Sequence, residues 1–362
     1  MAELAPVLRR IDLDFDASVA RLQELLRFPS VGVEPKHEGD TKACARWLAD
    51  QLAELGLEAG VRPTGGMPMV VAHDRSAPAG TPHLLYYGHY DVQPPEPLEL
   101  WESPPFEPKI VEGARGPRIV ARGAVDDKGQ LMTFIEAFRA WKAVHGSLPV
   151  RVTVFLEGEE ESSSKSLEPF LAAHRDELEA DVAVISDTGM IDVDKPAITY
   201  MLRGMAYAEV TLHGPSHDLH SGMYGGAVVN PLNALCRIVA QLHDDTGRVQ
   251  IPGFYDQVRE VAADEAEAWR RIGFDEAAFL ASAGLSVSTG EAGRSVLERV
   301  WSRPTCDLNG IWGGYIGEGG KTVIAAKASA KLSCRLVPDQ DPEAVMAGLK
   351  RFFTERVPPG CR

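Results

Sequence analysis

Five polar clusters between Gly88 and Gly226 are rich in side chains that bind hard metal ions. They are Gly88-His89-Tyr90-Asp91, Asp126-Asp127-Lys128-Gly129, Glu157-Gly158-Glu159-Glu160-Glu161-Ser162, Ser186-Asp187 and Asp218-Leu219-His220-Ser221-Gly222. Carboxylates dominate, imidazole is present and thiols are few. This donor set suits a pair of divalent ions sharing a carboxylate better than a closed cysteine site. Two ions held about 3.5–4 Å apart by a bridging oxygen ligand can activate water and clamp a tetrahedral transition state. The chemistry is hydrolysis.

Each cluster also has an ordinary structural reading. His89 offers an imidazole ligand, and Asp91 two residues on is spaced to orient it and raise its basicity; the alternative is a loop histidine beside a turn aspartate. Asp126 can bridge two ions through both oxygens, or the pair Asp126-Asp127 can simply cap the helix that starts near Gly129. A run such as Glu157 to Glu161 is usually a solvated surface, but this one directly follows the apolar stretch Val150–Leu156. Neighbouring carboxylates point apart, so Glu161 can bind metal while Glu160 faces the attacking water as general base. Asp187 would complete the ligand set. His220 sits on a Gly-rich loop further along, where it suits an oxyanion donor or an ordinary backbone-bonded loop histidine.

These residues need elements that bring them to one place. Apolar spacing over residues 10–28 predicts a docking helix, and Thr41–Leu55 a second amphipathic one. Met69–Ala72, Leu84–Tyr87, Ile119–Ala121, Val150–Leu156 and Val182–Ile185 read as strands, with helices over Gly129–Val144 and Ser166–His174. The alternation predicts an α/β fold with a mostly parallel central sheet flanked by helices. Ligands gather beyond the carboxyl ends of such strands, where His89, Asp126, Glu160, Glu161 and Asp187 are expected to converge. From Gly204 the pattern becomes strand (Ala206–Leu212), helix (Asn230–Leu242), two strands (Asp307–Trp312 and Ala325–Leu336) and helix (Pro342–Phe353, capped by Asp341). That order predicts an inserted α+β split β-α-β module without its final strand. The expected domains are 1–204, catalytic and metal-binding, and 205–362, a lid and dimerisation module.

The chain has 362 residues and a formal net charge of -15, which disfavours a nucleic-acid partner. Five scattered cysteines without Cys-x-x-Cys argue against a disulfide framework, making a reducing cytoplasm the expected location. No stretch approaches the roughly 20 apolar residues of a membrane span, so no membrane association is expected. Nor does the charged segment Met1–Phe28 read as a signal peptide.

Taken in order, the clusters resemble the dinuclear zinc peptidase family of carnosinases, aminoacylases, succinyl-diaminopimelate desuccinylase and glutamate carboxypeptidase. The nearest likeness is to the cytosolic nonspecific dipeptidase and carnosinase branch. The phrases carrying it are Gly88-His89-Tyr90-Asp91-Val92-Gln93-Pro94, Asp126-Asp127-Lys128-Gly129, Glu157–Ser162 and Asp218–Gly226, extended by Lys321-Thr322-Val323-Ile324 and Arg335-Leu336-Val337-Pro338. The resemblance implies two zinc ions per subunit, with manganese or cobalt as substitutes. It implies that His89 and Asp187 bind one ion, Asp126 bridges, Glu161 binds the other, Glu160 is the base and Asp91 supports His89. It further implies a cis Asp126–Asp127 peptide bond, a homodimer formed through the lid, and His220 supplied across that dimer. Thr322 and Arg335 match positions that hold the substrate carboxylate, for which a guanidinium fork is suited.

The resemblance also implies one more His ligand, in a C-terminal return to the catalytic domain. No residue after 353 supplies it, so the expectation is a truncated chain short of roughly a quarter of the family length, which could lack activity. The expected activity is metal-dependent hydrolysis of dipeptides or short peptides with a free C-terminal carboxylate. Alternatives are an N-acyl-amino-acid deacylase, a glutamate carboxypeptidase, or a non-catalytic peptide-binding dimer if the natural chain ends at Arg362.

Overall fold

The computed structural model describes residues 3–113 and 115–362. The chain divides into two compact units, Met1–Ile198 and Thr199–Arg362.

The first unit opens with α1 (Leu4–Leu13) and α2 (Phe15–Leu26), two helices where the spacing predicts one. Asp14 leaves the helical region between them, and its carboxylate accepts a hydrogen bond from Arg10. A short polar side chain that competes for local donors is a weak interior helix residue. Helix α3 (Glu38–Glu54) buries Thr41, Cys44, Ala45, Leu48, Ala49 and Leu52, a stripe at helical spacing. Strands β1 (Glu58–Arg62), β2 (Met69–Asp74) and β3 (His83–His89) follow, then β4 (Lys109–Gly113), β5 (Gly116–Val120) and α4 (Lys128–His145). The unit continues through β6 (Arg151–Glu157), α5 (Leu167–Ala173), α6 (Arg175–Leu178) and β7 (Val182–Ile185).

The central sheet has the order β1-β2-β6-β3-β7. Its β6-β3-β7 part is parallel, while β1-β2 and β2-β6 are antiparallel, which makes the sheet mixed. Alternation along the strands sends Val70, Ala72, Val152, Val154 and Leu156 into one core with Leu48, Leu52, Leu131 and Ile135. Met69, Val71 and Phe155 face the other way, against Phe170 and Leu178. Burial on both faces explains why β2 and β6 are apolar with little polar alternation. The predicted strand at Ile119–Ala121 lies elsewhere: β5 pairs with β4 in a separate two-stranded ribbon. Asp126 is therefore delivered by the loop between that ribbon and α4, and not by a strand of the central sheet.

The second unit contains β8 (Gly204–His213), β9 (Leu219–His220), α7 (Ser221–Tyr224), α8 (Pro231–Val239), α9 (Ala263–Arg271), α10 (Glu276–Ser282), β10 (Thr305–Gly313), β11 (Val323–Ile324), β12 (Lys327–Leu336) and α11 (Pro342–Thr354). Strand β12 pairs antiparallel with both β8 and β10, so those two run parallel with β12 between them. This is the split β-α-β arrangement. Leu235, Ile238, Leu332, Leu336, Leu349 and Phe352 close one core between sheet and helices. Local chemistry sets the helix starts. Asn230 and Asp341 each accept a backbone N–H two residues on, with proline as the first helical residue. Among the described residues no helix is long and apolar enough to cross a membrane.

Candidate metal centre

His89 is the last residue of β3, fully buried, directly opposite Glu157 at the end of the parallel neighbour β6. Its Nδ1 faces two acceptors, the Asp91 carbonyl oxygen at 3.1 Å and Asp91 Oδ1 at 3.4 Å. The proton therefore belongs on Nδ1, and Nε2 presents a lone pair. Nε2 lies 3.1 Å from Asp126 Oδ1 and 3.6 Å from Asp187 Oδ2. One donor atom from each of the three residues lies within 4.8 Å of the other two. Two N or O ligands about 2.0–2.1 Å from one tetrahedral ion are about 3.3 Å apart, so these separations fit a divalent cation. Without a cation, burial would lower the His89 pKa, but the hydrogen bonds to Asp187 and Asp91 raise it to about 11. The pocket demands positive charge. Asp187 is correspondingly held below the usual carboxylate range, chiefly by its hydrogen bond with His89.

Asp91 is fully buried and has a second task. Its Oδ1 accepts from the Glu160 N–H at 3.2 Å and its Oδ2 from the Glu161 N–H at 3.1 Å. One carboxylate thus orients the imidazole and anchors the turn carrying both glutamates. Gly32 abuts it so closely that a Cβ there would stand 2.6 Å from Asp91 Oδ2.

The four glutamates have separate environments. Glu157 is buried and accepts hydrogen bonds from the Tyr87 and Ser164 hydroxyls. Glu159 accepts from the backbone N–H groups of Met67 and Ser166, both at 3.0 Å. Glu161 accepts from Gln93 Nε2 at 2.7 Å. Among the described residues, the Glu160 carboxylate has no hydrogen-bond or ion-pair partner, and it is half-buried. Burial raises the pKa of Glu160; His89 opposes this, while Glu161, Asp187 and Asp91 reinforce it. Burial also raises Glu161, against the Gln93 hydrogen bond, and the charge of Asp126 adds to the rise. Glu161 is not in the three-residue cluster, but it does feel Asp126.

Sequence reasoning left three supporting residues unassigned. Asp127 is buried, accepts from the His89 N–H at 3.1 Å, and is pushed up to about 7 by burial, against His89 and with Asp187 and Asp126. The Asp126–Asp127 peptide bond is cis. Gln93 holds Glu161. Lys128 is buried and donates to the Leu25 and Phe28 carbonyl oxygens, bracing the start of α4 against the end of α2. All three lie within or next to the motif phrases, which was the available signal.

The remaining candidates lie in the second unit. His220 is exposed on β9, opposite Val323 of β11. Its Nδ1 accepts from the Gly222 N–H at 3.0 Å, which leaves the Nε2 proton free to be donated. Thr322 adjoins it, its carbonyl oxygen accepting from the Ser221 N–H. Arg335 is exposed on β12, opposite Thr305 and Met205. Arg203, two residues before Met205, is lowered by burial and by the charge of Arg335. The two guanidiniums therefore lie near enough to repel each other. That second cation was not expected.

The family model of the peptidase dimerisation domain matches residues 200–361. Cys-Gly metallodipeptidase dug1 of Schizosaccharomyces pombe is 33% identical over 356 residues, which covers 95% of this chain and 74% of that protein. Among solved structures, the M20 family metallo-carboxypeptidase Sso-CP2 of Sulfolobus solfataricus aligns with a TM-score of 0.81 at 32% identity, covering 95% of this chain and 77% of that one. Human carnosine dipeptidase 1 aligns with a TM-score of 0.82 at 30% identity, over 98% and 78%.

Proposed function

This chain belongs to the M20 family of metallopeptidases, and we propose that it hydrolyses dipeptides or short peptides with a free C-terminal carboxylate. In this reading His89, Asp126, Asp187 and Glu161 would hold the metal. Divalent metal bound there, proposed as two zinc ions per subunit, would acidify water and polarise the amide carbonyl. Asp91 keeps the His89 proton on Nδ1 so that Nε2 stays a ligand. Glu160 takes a proton from the attacking water and passes it to the leaving amine nitrogen. Its freedom from other partners among the described residues supports that role, since hydrogen bonds from backbone N–H groups, such as those to Glu159, stabilise the carboxylate and make it a weaker base.

The 199–362 unit makes the homodimer. His220 donates from Nε2 to the oxyanion of the tetrahedral intermediate, in the site of a second copy. Arg335 and Thr322 hold the substrate carboxylate, with Arg203 adding positive charge beside them. Unpaired thiols throughout the chain favour a cytoplasmic location.

The observation that carries this reading is the meeting of His89, Asp126 and Asp187 near Glu160, whose carboxylate has no partner among the described residues. The test is Glu160→Ala, assayed for metal content and for turnover of dipeptides against N-acyl amino acids. Metal retention with a loss of turnover of about 10²–10⁴-fold is expected; turnover near wild type would remove Glu160 from the mechanism. Faster hydrolysis of acyl amino acids than of dipeptides would move the substrate class.

A further inference from the structure

We infer that Cys306 and Cys334 are a modification site, closing to a reversible cross-strand disulfide when the chain meets a small-molecule disulfide. Cys306 on β10 and Cys334 on β12 stand directly opposite each other in antiparallel register. Residues paired this way have Cα atoms about 4.5 or 5.5 Å apart, depending on the type of pair. Both separations fall within the span of about 4.4–6.8 Å that a disulfide bridges. The two side chains point to the same face of the sheet, into the core that also holds Ala206 and Leu332. Both are free thiols.

A route for the oxidant exists. In the order β10-β12-β8, β10 is an edge strand, and its pairing is interrupted by a bulge between Leu308 and Gly310. Local opening of a bulged edge exposes Cys306 while leaving β12 paired to β8. The Cys306 thiolate attacks one sulfur of the small disulfide, forming a mixed disulfide and releasing one thiolate. The Cys334 thiolate then attacks Sγ of Cys306, forming the cross-strand bond and releasing the second thiolate. The protein loses two electrons and two thiol protons, and the small disulfide is reduced to two thiols. The closed bond ties β10 to β12 immediately beside the Thr305–Arg335 pair. The inference does not depend on the metal centre.

The experiment incubates the full chain with oxidised glutathione, with and without sub-denaturing urea to assist strand opening. Free thiols are then counted in denaturant and the peptides mapped. The expected result is loss of the Cys306 and Cys334 thiols without a glutathione adduct on either, a link between the peptides holding 306 and 334, and reversal by dithiothreitol, with the exposed Cys236 counted separately. Cys306→Ser and Cys334→Ser should each show no link between the two peptides under the same treatment. The oxidised chain should also melt several degrees higher, since the link restricts the unfolded ensemble. Cys306 and Cys334 thiols remaining free in both arms would overturn the inference, as would glutathione adducts on Cys306 or Cys334 in place of the link.

Discussion

Replacing Asp91 with Asn separates orientation of the metal ligand from the chemistry itself. In the wild type one buried carboxylate accepts the Glu160 N–H and the Glu161 N–H, and its Oδ1 lies 3.4 Å from His89 Nδ1, which also bonds the Asp91 carbonyl oxygen at 3.1 Å. Asparagine keeps one acceptor oxygen and turns the other into a donor, which must face at least one of those N–H groups. Each lost hydrogen bond to a charged acceptor costs about 1.5–3 kcal/mol, and losing an orienting carboxylate typically weakens metal affinity by about 10–100-fold. Asp91→Asn should therefore lower divalent-metal affinity at least about tenfold. It should also reduce kcat/KM at saturating metal, because the turn carrying Glu160 and Glu161 loses an anchor. Metal affinity is measured by competition with a chromophoric chelator, kcat/KM with a dipeptide at excess metal, and folding by circular dichroism. A variant that is folded and binds metal within twofold of wild type would refute the idea that Asp91 sets the His89 tautomer. Unchanged kcat/KM at saturating metal would refute its hold on the glutamate turn.

Other perturbations read neighbouring parts of the same arrangement. Glu159→Ala should cost about 2–4 kcal/mol of stability in urea denaturation, because two backbone N–H groups lose their carboxylate; Glu160→Ala should leave the midpoint nearly unchanged, and equal midpoints for the two would contradict this division. Gly32→Ala brings a Cβ within 2.6 Å of Asp91 Oδ2, so metal affinity should fall even though the substitution adds only a methyl group; calorimetric metal titration checks it. For pH dependence, burial would raise the Glu136 carboxyl, but hydrogen bonds from Arg21 and Ser18 and the Arg21 charge hold it below its ordinary value. A folded pKa below the unfolded one means stability present above the unfolded value of about 4.3 and lost as pH falls through the folded value. The stability gap between wild type and Arg21→Ala should thus be level at neutral pH and close below about pH 4.3, as followed by denaturation from acid to neutral pH; a gap independent of pH would refute it.

Local interactions made much of this chain legible before any fold was known. The strand Val182–Ile185, the helices beginning at Pro231 and Pro342, and the Asp341 cap depend on apolar periodicity, proline and nearby hydrogen bonds, all within a few residues. The parallel strands could be placed for the same reason, and with them the sheet edge where His89 and Asp187 meet. The break at Asp14 escaped because the apolar spacing runs on across it, while the Asp14 backbone and its tie to Arg10 do not show in periodicity.

What tertiary structure alone decided was the division of labour among chemically identical groups. In the sequence, Glu157, Glu159, Glu160 and Glu161 are four equal carboxylates. Packing turns Glu157 inward to Tyr87 and Ser164, commits Glu159 to Met67 and Ser166, and leaves the Glu160 carboxylate without a partner among the described residues. Asp126 comes from the loop that follows a ribbon outside the central sheet, a connection no local pattern encodes. Scattered cysteines read as unrelated until strand register sets Cys306 against Cys334. The physical reason is the same throughout: propensity and capping act over a few residues, whereas partner choice is settled by burial and pairing between segments far apart along the chain.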